Sequence, residues 1–236
     1  MLLGEFMNVD NLLMSHIDNE YRLFHQKICD TKYQIIGVKI PILRKISKKL
    51  LNNYDYVEIN SSLNNAIYEH VMLKGFIIAN INYNYEEKIK LIKMYIKEID
   101  NWAICDIFVG ELKFIKKHRE EFLVFIKQFQ NSKNEFEQRF FIVSLLNYYL
   151  TDDYIDLVLN ILLNIKSDKY YVLMAVAWCL SICLVKYYDK TVLFIKNNKC
   201  NFNTWAFNKG ISKARESRRL NQEQKEFLKT LKIYKR

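Results

Sequence analysis

Across its 236 residues this chain has a single proline and five glycines. A sandwich or barrel reverses direction about every 8–12 residues and needs far more turn-forming residues than that. The scarcity points to helices joined by short connections, an all-α fold. Half of the residues are hydrophobic, enough for a continuous core. No Ser/Gly-rich stretch divides the chain, so one domain over 1–236 is expected.

Apolar periodicity and cap signals place helices near 7–27, 40–52, 62–80, 85–99, 102–116, 118–129, 134–150, 153–165, 169–186, 188–197, 203–215 and 222–233. Asn84 with Glu87 and Ser132 with Glu135 have capping-box spacing, and Asn221 with Gln224 repeats it with an amide. Pro41 suits the first turn of a helix, where its missing N–H costs nothing. The longest apolar run, Tyr170 to Val185, is 16 residues long. That is short of the roughly 20 residues of a membrane span and fits a fully buried helix, so no membrane partner is expected. The opening Met1-Leu2-Leu3-Gly4-Glu5 lacks a basic n-region and a full apolar h-region, and a cytoplasmic location is expected. The five cysteines are odd in number and form no C-x-x-C, so they are expected to stay reduced.

The formal charge is +10 and unevenly placed. Residues 201–236 carry ten Lys/Arg against three Glu, a net +7, with Lys213, Arg215, Arg218 and Arg219 close together. A second cluster, Lys39, Arg44, Lys45, Lys48 and Lys49, contains no acid. Two basic regions on a helical array suit a polyanion, because each neutralised phosphate releases counterions. On charge alone, solvated lysines on ordinary helix faces fit equally well.

Trp102 and Asp106 stand four residues apart, so on a helix they share one face. Arg139 follows Asp106 by 33 residues and Trp178 follows Arg139 by 39, intervals like those of a helical-pair repeat whose equivalent positions line one surface. From the residues alone, Trp178 in its apolar run also reads as core, and Asp106 with Arg139 as an inter-helix salt bridge. Cys179 and Cys183 read as small buried hydrophobes, and Trp205 as packing. The four histidines, His16, His25, His70 and His118, are scattered without metal-site spacing, so no metal is expected.

Five segments in order carry a family resemblance. They are Gly37 to Lys45, Asn101-Trp102-Ala103-Ile104-Cys105-Asp106, Gln138-Arg139-Phe140, Tyr170 to Trp178, and Lys213-Ala214-Arg215-Glu216-Ser217. Together they resemble the AlkD-like DNA alkylation repair glycosylases over nearly the whole chain. The resemblance implies a curved α-solenoid of HEAT-like antiparallel helix pairs around duplex DNA. It also implies hydrolytic release of N3- or N7-alkylated purines without metal or organic cofactor. The family's active-site residues match Trp102, Asp106, Arg139 and Trp178, and none of the four is replaced.

The chemistry fits these residue types. Alkylation at N3 or N7 makes the purine a cationic, activated leaving group, so what remains is to stabilise the oxocarbenium-like sugar. A carboxylate such as Asp106 can do that. Trp102 and Trp178 offer π faces to a cation, and Arg139 has the fork that fits a phosphate. Lys39, Arg44, Lys45, Lys48, Lys213, Arg215, Arg218 and Arg219 are the expected DNA-backbone contacts of a monomer. The other readings are a catalytically silent DNA- or RNA-binding module and a protein-binding scaffold.

Overall fold

The computed structural model of the protein describes residues 8–234. Its described residues form fourteen α-helices and two 3-10 turns, with no strand, and one isolated parallel bridge joins Gln34 to Ile67. The chain gathers into two compact units, with the boundary after Lys113.

The first unit contains α1 (Val9–Met14), α2 (Asn19–Ile28), α3 (Ile40–Asn53), α4 (Tyr56–Ser61), α5 (Tyr68–Asn80), α6 (Tyr85–Ile96) and α7 (Trp102–Glu111). Its centre is α5, which packs against α3, α6 and α7. Every residue from Tyr68 to Ala79 is buried, the polar Glu69, His70 and Lys74 included, as in a helix packed on all sides. Close approach of α6 depends on Gly75, where an added Cβ would sit 2.5 Å from the Tyr95 hydroxyl. That hydroxyl donates to the Val71 carbonyl at 2.9 Å. Buried Glu69 accepts the backbone N–H groups of Ile36, Gly37 and Val38 at 3.0, 2.7 and 3.2 Å. Those bonds fix the turn at Gly37, whose φ of 98° is a glycine conformation. The turn launches α3, with Pro41 in its first turn as the sequence predicts.

The second unit contains α8 (Arg119–Lys127), α9 (Glu135–Tyr148), α10 (Ile155–Asn164), α11 (Tyr170–Lys186), α12 (Tyr188–Asn198), α13 (Thr204–Arg215) and α14 (Gln222–Thr230), with a 3-10 turn at Lys199–Asn201, while the 3-10 turn Lys113–Lys117 begins on the last residue of the first unit. Here α11 lies between α9 and α13, with α10 and α12 behind it, while α8 backs α9 and α14 backs α13. Alternate helices thus form two layers, the helix-pair arrangement of an α-solenoid. Among the described residues no helix is long and apolar enough to cross a membrane.

Several boundaries differ from the sequence expectation for local reasons. The helix expected over 7–27 is two helices, because Asp18 accepts the Tyr21 N–H at 2.9 Å and starts α2 afresh. Residue 7 and the leader reading of Met1–Glu5 lie outside the described residues. Helix α4 was not expected, although Asp55 and Glu58 form a capping box there. The helix expected at 62–80 begins only at Tyr68. The boxes at Asn84 and Asn221 form as predicted. Helix α9 instead starts from Asn134, which accepts the N–H groups of Phe136 and Glu137, while Ser132 bonds to the Glu137 carboxylate.

Candidate active site

In the first unit the candidate residues stand on α7. Its start is fixed by Asn101, whose side-chain oxygen accepts the N–H groups of Ala103 and Ile104 at 2.9 and 3.0 Å. The Cys29 thiol donates to the same oxygen at 3.2 Å. Burial pushes that thiol's pKa up to about 11, so it stays protonated and can donate. Neighbouring Asp100 accepts from the Thr31 hydroxyl and the Lys32 N–H. The segment after α2 is therefore clipped to the beginning of α7.

From that anchored start, Ala103, Ile104, Cys105, Phe108 and Val109 turn inward. Trp102 and Asp106 are partly exposed and Gly110 is exposed. The spacing i, i+4, i+8 puts these three on one strip. A Cβ added at Gly110 would meet nothing within 4 Å, so the strip ends in open space. The Trp102 indole N–H donates to the Ile28 carbonyl at 3.1 Å, which sets the ring's orientation from the last turn of α2.

In the second unit Arg139 lies on α9 and is 6% exposed. Its Nη1 donates to the Tyr171 carbonyl at 2.8 Å, and the guanidinium sits 6.0 Å from the Tyr171 ring centroid. The start of α11 has no side-chain cap of its own. Glu135 takes that role from α9 by accepting the Tyr171 N–H at 2.6 Å. Two turns further on, Trp178 is partly exposed, on the same side of α11 as Tyr171 and Ile182. Its neighbours Val176, Ala177, Cys179 and Leu180 are buried. The core reading of Trp178 therefore holds for its neighbours and not for its own ring.

The basic residues differ in how much of their charge is already engaged. Lys39 lies 2.7 Å from the Asp18 carboxylate. That contact holds the carboxyl pKa below and the ammonium pKa above their ordinary values. Arg44 pairs with Glu111 at 2.7 Å and lies over the Phe76 ring. Lys48 lines a cavity of about 350 Å³ with Arg44 and Asn80, and Lys45 is exposed. Arg215 donates to the Lys225 carbonyl at 2.9 Å and contacts Glu226 at 3.4 Å. Lys213 is partly exposed, and Arg218 and Arg219 are exposed.

Trp205 departs from the packing expectation. It is 43% exposed on α13, and its ring stands 5.7 Å from that of Tyr170. The sequence shows a Trp between small and apolar neighbours. The tertiary fold turns Ala206 and Phe207 inward and Trp205 out. None of the five cysteines, all of them among the described residues, is in a disulfide. Among the described residues no group of three or more His, Cys, Asp or Glu side chains is placed to hold a metal ion.

The chain matches a family model described as DNA alkylation repair enzyme, over residues 9–214. No curated protein matches it.

Proposed function

The chain belongs to the DNA alkylation repair enzyme family, and from that premise we propose that it is a monofunctional glycosylase acting on duplex DNA. Its substrates are purines made cationic by alkylation at N3 or N7. Water adds to C1′ as the bond to N9 breaks, which yields the free alkylated base and an abasic site. The observation that carries the reading is the strip on α7, where Trp102 and Asp106 present an aromatic face and a carboxylate together.

In this reading Asp106 stabilises the oxocarbenium-like sugar and orients the attacking water. The leaving group carries its own positive charge, so the reaction needs neither a strong general acid nor a cofactor. Trp102 and Trp178 favour cationic over neutral purines through their ring faces. Arg139, engaged with the Tyr171 carbonyl, holds the first turn of the helix that carries Trp178 and adds positive charge for a phosphate. Lys45, Lys213, Arg218 and Arg219 are the first candidates for backbone contacts by a cytoplasmic monomer, with Lys39, Lys48, Arg44 and Arg215 behind them.

The deciding experiment incubates purified protein with duplex DNA treated with a methylating agent and measures free 7-methylguanine and 3-methyladenine by mass spectrometry. Release above the spontaneous rate supports the reading. Binding without release would make the chain a non-catalytic DNA-binding module, the alternative left open by its charge.

A further inference from the structure

A cavity of about 740 Å³ opens on the second unit, lined among others by Trp205, Asn208, Lys209, Ser212, Lys232 and Tyr234. It falls in the size range of small-ligand sites, roughly 300–1,000 Å³. Trp205, Lys209 and Ser212 follow one another along one face of α13. The opposite wall is the segment after α14, and it is pinned in place. The Asn208 side chain donates to the Ile233 carbonyl at 2.7 Å and accepts the Ile233 N–H at 2.9 Å. This two-point clamp holds Lys232 and Tyr234 across from Trp205.

The lining has a defined chemistry. Trp205 and Tyr234 are 43% and 72% exposed, so both offer ring faces to a ligand. Tyr170 supports Trp205 by ring contact. Lys209 and Lys232 supply two ammonium groups, and among the described residues no carboxylate lines the cavity. Exposed aromatic faces between lysines match a base with its phosphate, because every base stacks and every phosphate is anionic. A neutral apolar ligand would leave both ammonium groups unused, and a bare anion would leave the rings unused.

We propose that this cavity binds one unpaired nucleotide, with its base on Trp205 and its phosphate between Lys209 and Lys232. The assignment is independent of the glycosylase reading, since it uses none of Trp102, Asp106, Arg139 or Trp178. The nucleotide can belong to a single strand or be free in solution, and the experiment separates the two.

The test follows anisotropy of a labelled decathymidylate binding to the full chain. Trp205→Ala is expected to weaken binding at least fivefold, the low end of losing one stacked base, whereas Trp205→Phe keeps most of the affinity. Replacing both Lys209 and Lys232 by alanine should lower the slope of log K against log salt by about 0.7, one phosphate on a single strand, and either single substitution should lower it by less. Competition by thymidine monophosphate would identify a free nucleotide as ligand, and its failure to compete would identify a nucleotide within a strand. Two results overturn the proposal: equal affinity for an abasic phosphodiester of the same length, or unchanged binding by Trp205→Ala. If Trp205→Ala does not fold, Trp205→Leu decides in its place, because it keeps bulk beside Tyr170 without a π face. Excision from methylated duplex DNA by the Trp205 variants should match the unsubstituted protein. The two readings can thus fail separately.

Discussion

The indole N–H of Trp102 donates to the carbonyl of Ile28 at 3.1 Å, so the first residue of α7 is tied to the last residue of α2. This bond and the ring face are separable. Trp102→Phe keeps an aromatic face and loses the bond, and about 1 kcal/mol of stability is expected to go with it. Excision should stay within a fewfold. Trp102→Ala loses the face as well and should sharply reduce release of cationic bases while the melt remains cooperative. Thermal melting and single-turnover excision of both variants check this, and full activity in Trp102→Ala would remove the residue from the site.

Asp106 stands one turn further along the same strip. If its charge stabilises the developing sugar cation, Asp106→Asn should lower the single-turnover rate by about 10²–10³, the scale of losing one preorganised electrostatic group. Affinity for an abasic duplex should change little. A variant that melts far below the unsubstituted protein would show the carboxylate to be structural, and a near-normal rate would sink the catalytic role.

Gly110 gives a test in the opposite direction. Glycine within a helix costs up to about 1 kcal/mol relative to alanine, and a Cβ there meets nothing within 4 Å. Gly110→Ala should therefore raise the melting temperature or leave it unchanged. If the Trp102–Asp106–Gly110 strip faces bound DNA, the same substitution should weaken binding or slow excision. A variant both more stable and fully active would show that nothing approaches the helix backbone at this point.

How far these features can be read from sequence depends on their range. The all-α class follows from missing turn residues, and the shared face of Trp102 and Asp106 from four-residue spacing, both local properties. The starts of α6 and α14 are legible because Asn84 and Asn221 bond within their own first turns. The start of α9, expected at 134, lies one residue away at Glu135, but its cap misleads by two residues, since both Ser132 and Asn134 have the right chemistry and only the backbone path chooses between them. Helix α4 is not legible in the sequence because six residues give too little periodicity, despite the Asp55–Glu58 box. The exposure of Trp205 and the engagement of Arg139 rest on Tyr170 and Tyr171, more than 30 residues away in each case. No local pattern encodes them.

Two buried histidines, His25 and His70, should make stability fall in mild acid. Burial lowers the pKa of His25 below 6.5. It also lowers that of His70, although the Asp10 carboxylate at 3.0 Å pulls the other way. The Nδ1 of His70 accepts the Asn64 N–H at 3.0 Å, which requires that nitrogen to be unprotonated. The unfolded chain takes up protons near pH 6.5 where the folded chain resists them. Stability is thus fully present above the unfolded pKa and is lost as pH falls through it toward the folded values. Melting temperature should be flat above about pH 7 and fall from about pH 6.5 downward. His25→Phe keeps the ring contacts with Tyr21 and Tyr68 and should reduce the dependence. An unchanged pH profile would assign the loss elsewhere.

At the C-terminal end, the cations already engaged within the fold are less free to grip DNA than the exposed ones. Arg215 stands 37 residues after Trp178, close to the repeat interval, and is one of the expected phosphate contacts, yet its Nε donates to the Lys225 carbonyl and its Nη2 faces Glu226. Arg215→Ala should therefore loosen α14 from α13 and lower the melting temperature, with a salt slope close to that of the unsubstituted protein. Arg218 and Arg219 are exposed, and neither makes an ion pair among the described residues. A phosphate contact by either should show as a fall of about 0.9 in the slope of log K against log salt on substitution by alanine. Phosphate contacts carry no sequence or lesion information, so damaged and intact duplexes should lose affinity by similar factors. Titrations at several salt concentrations separate the cases. A reduced slope for Arg215→Ala alone would mean that DNA displaces Lys225 and Glu226 from the guanidinium, and unchanged slopes for all three would leave this cluster as a solvated surface.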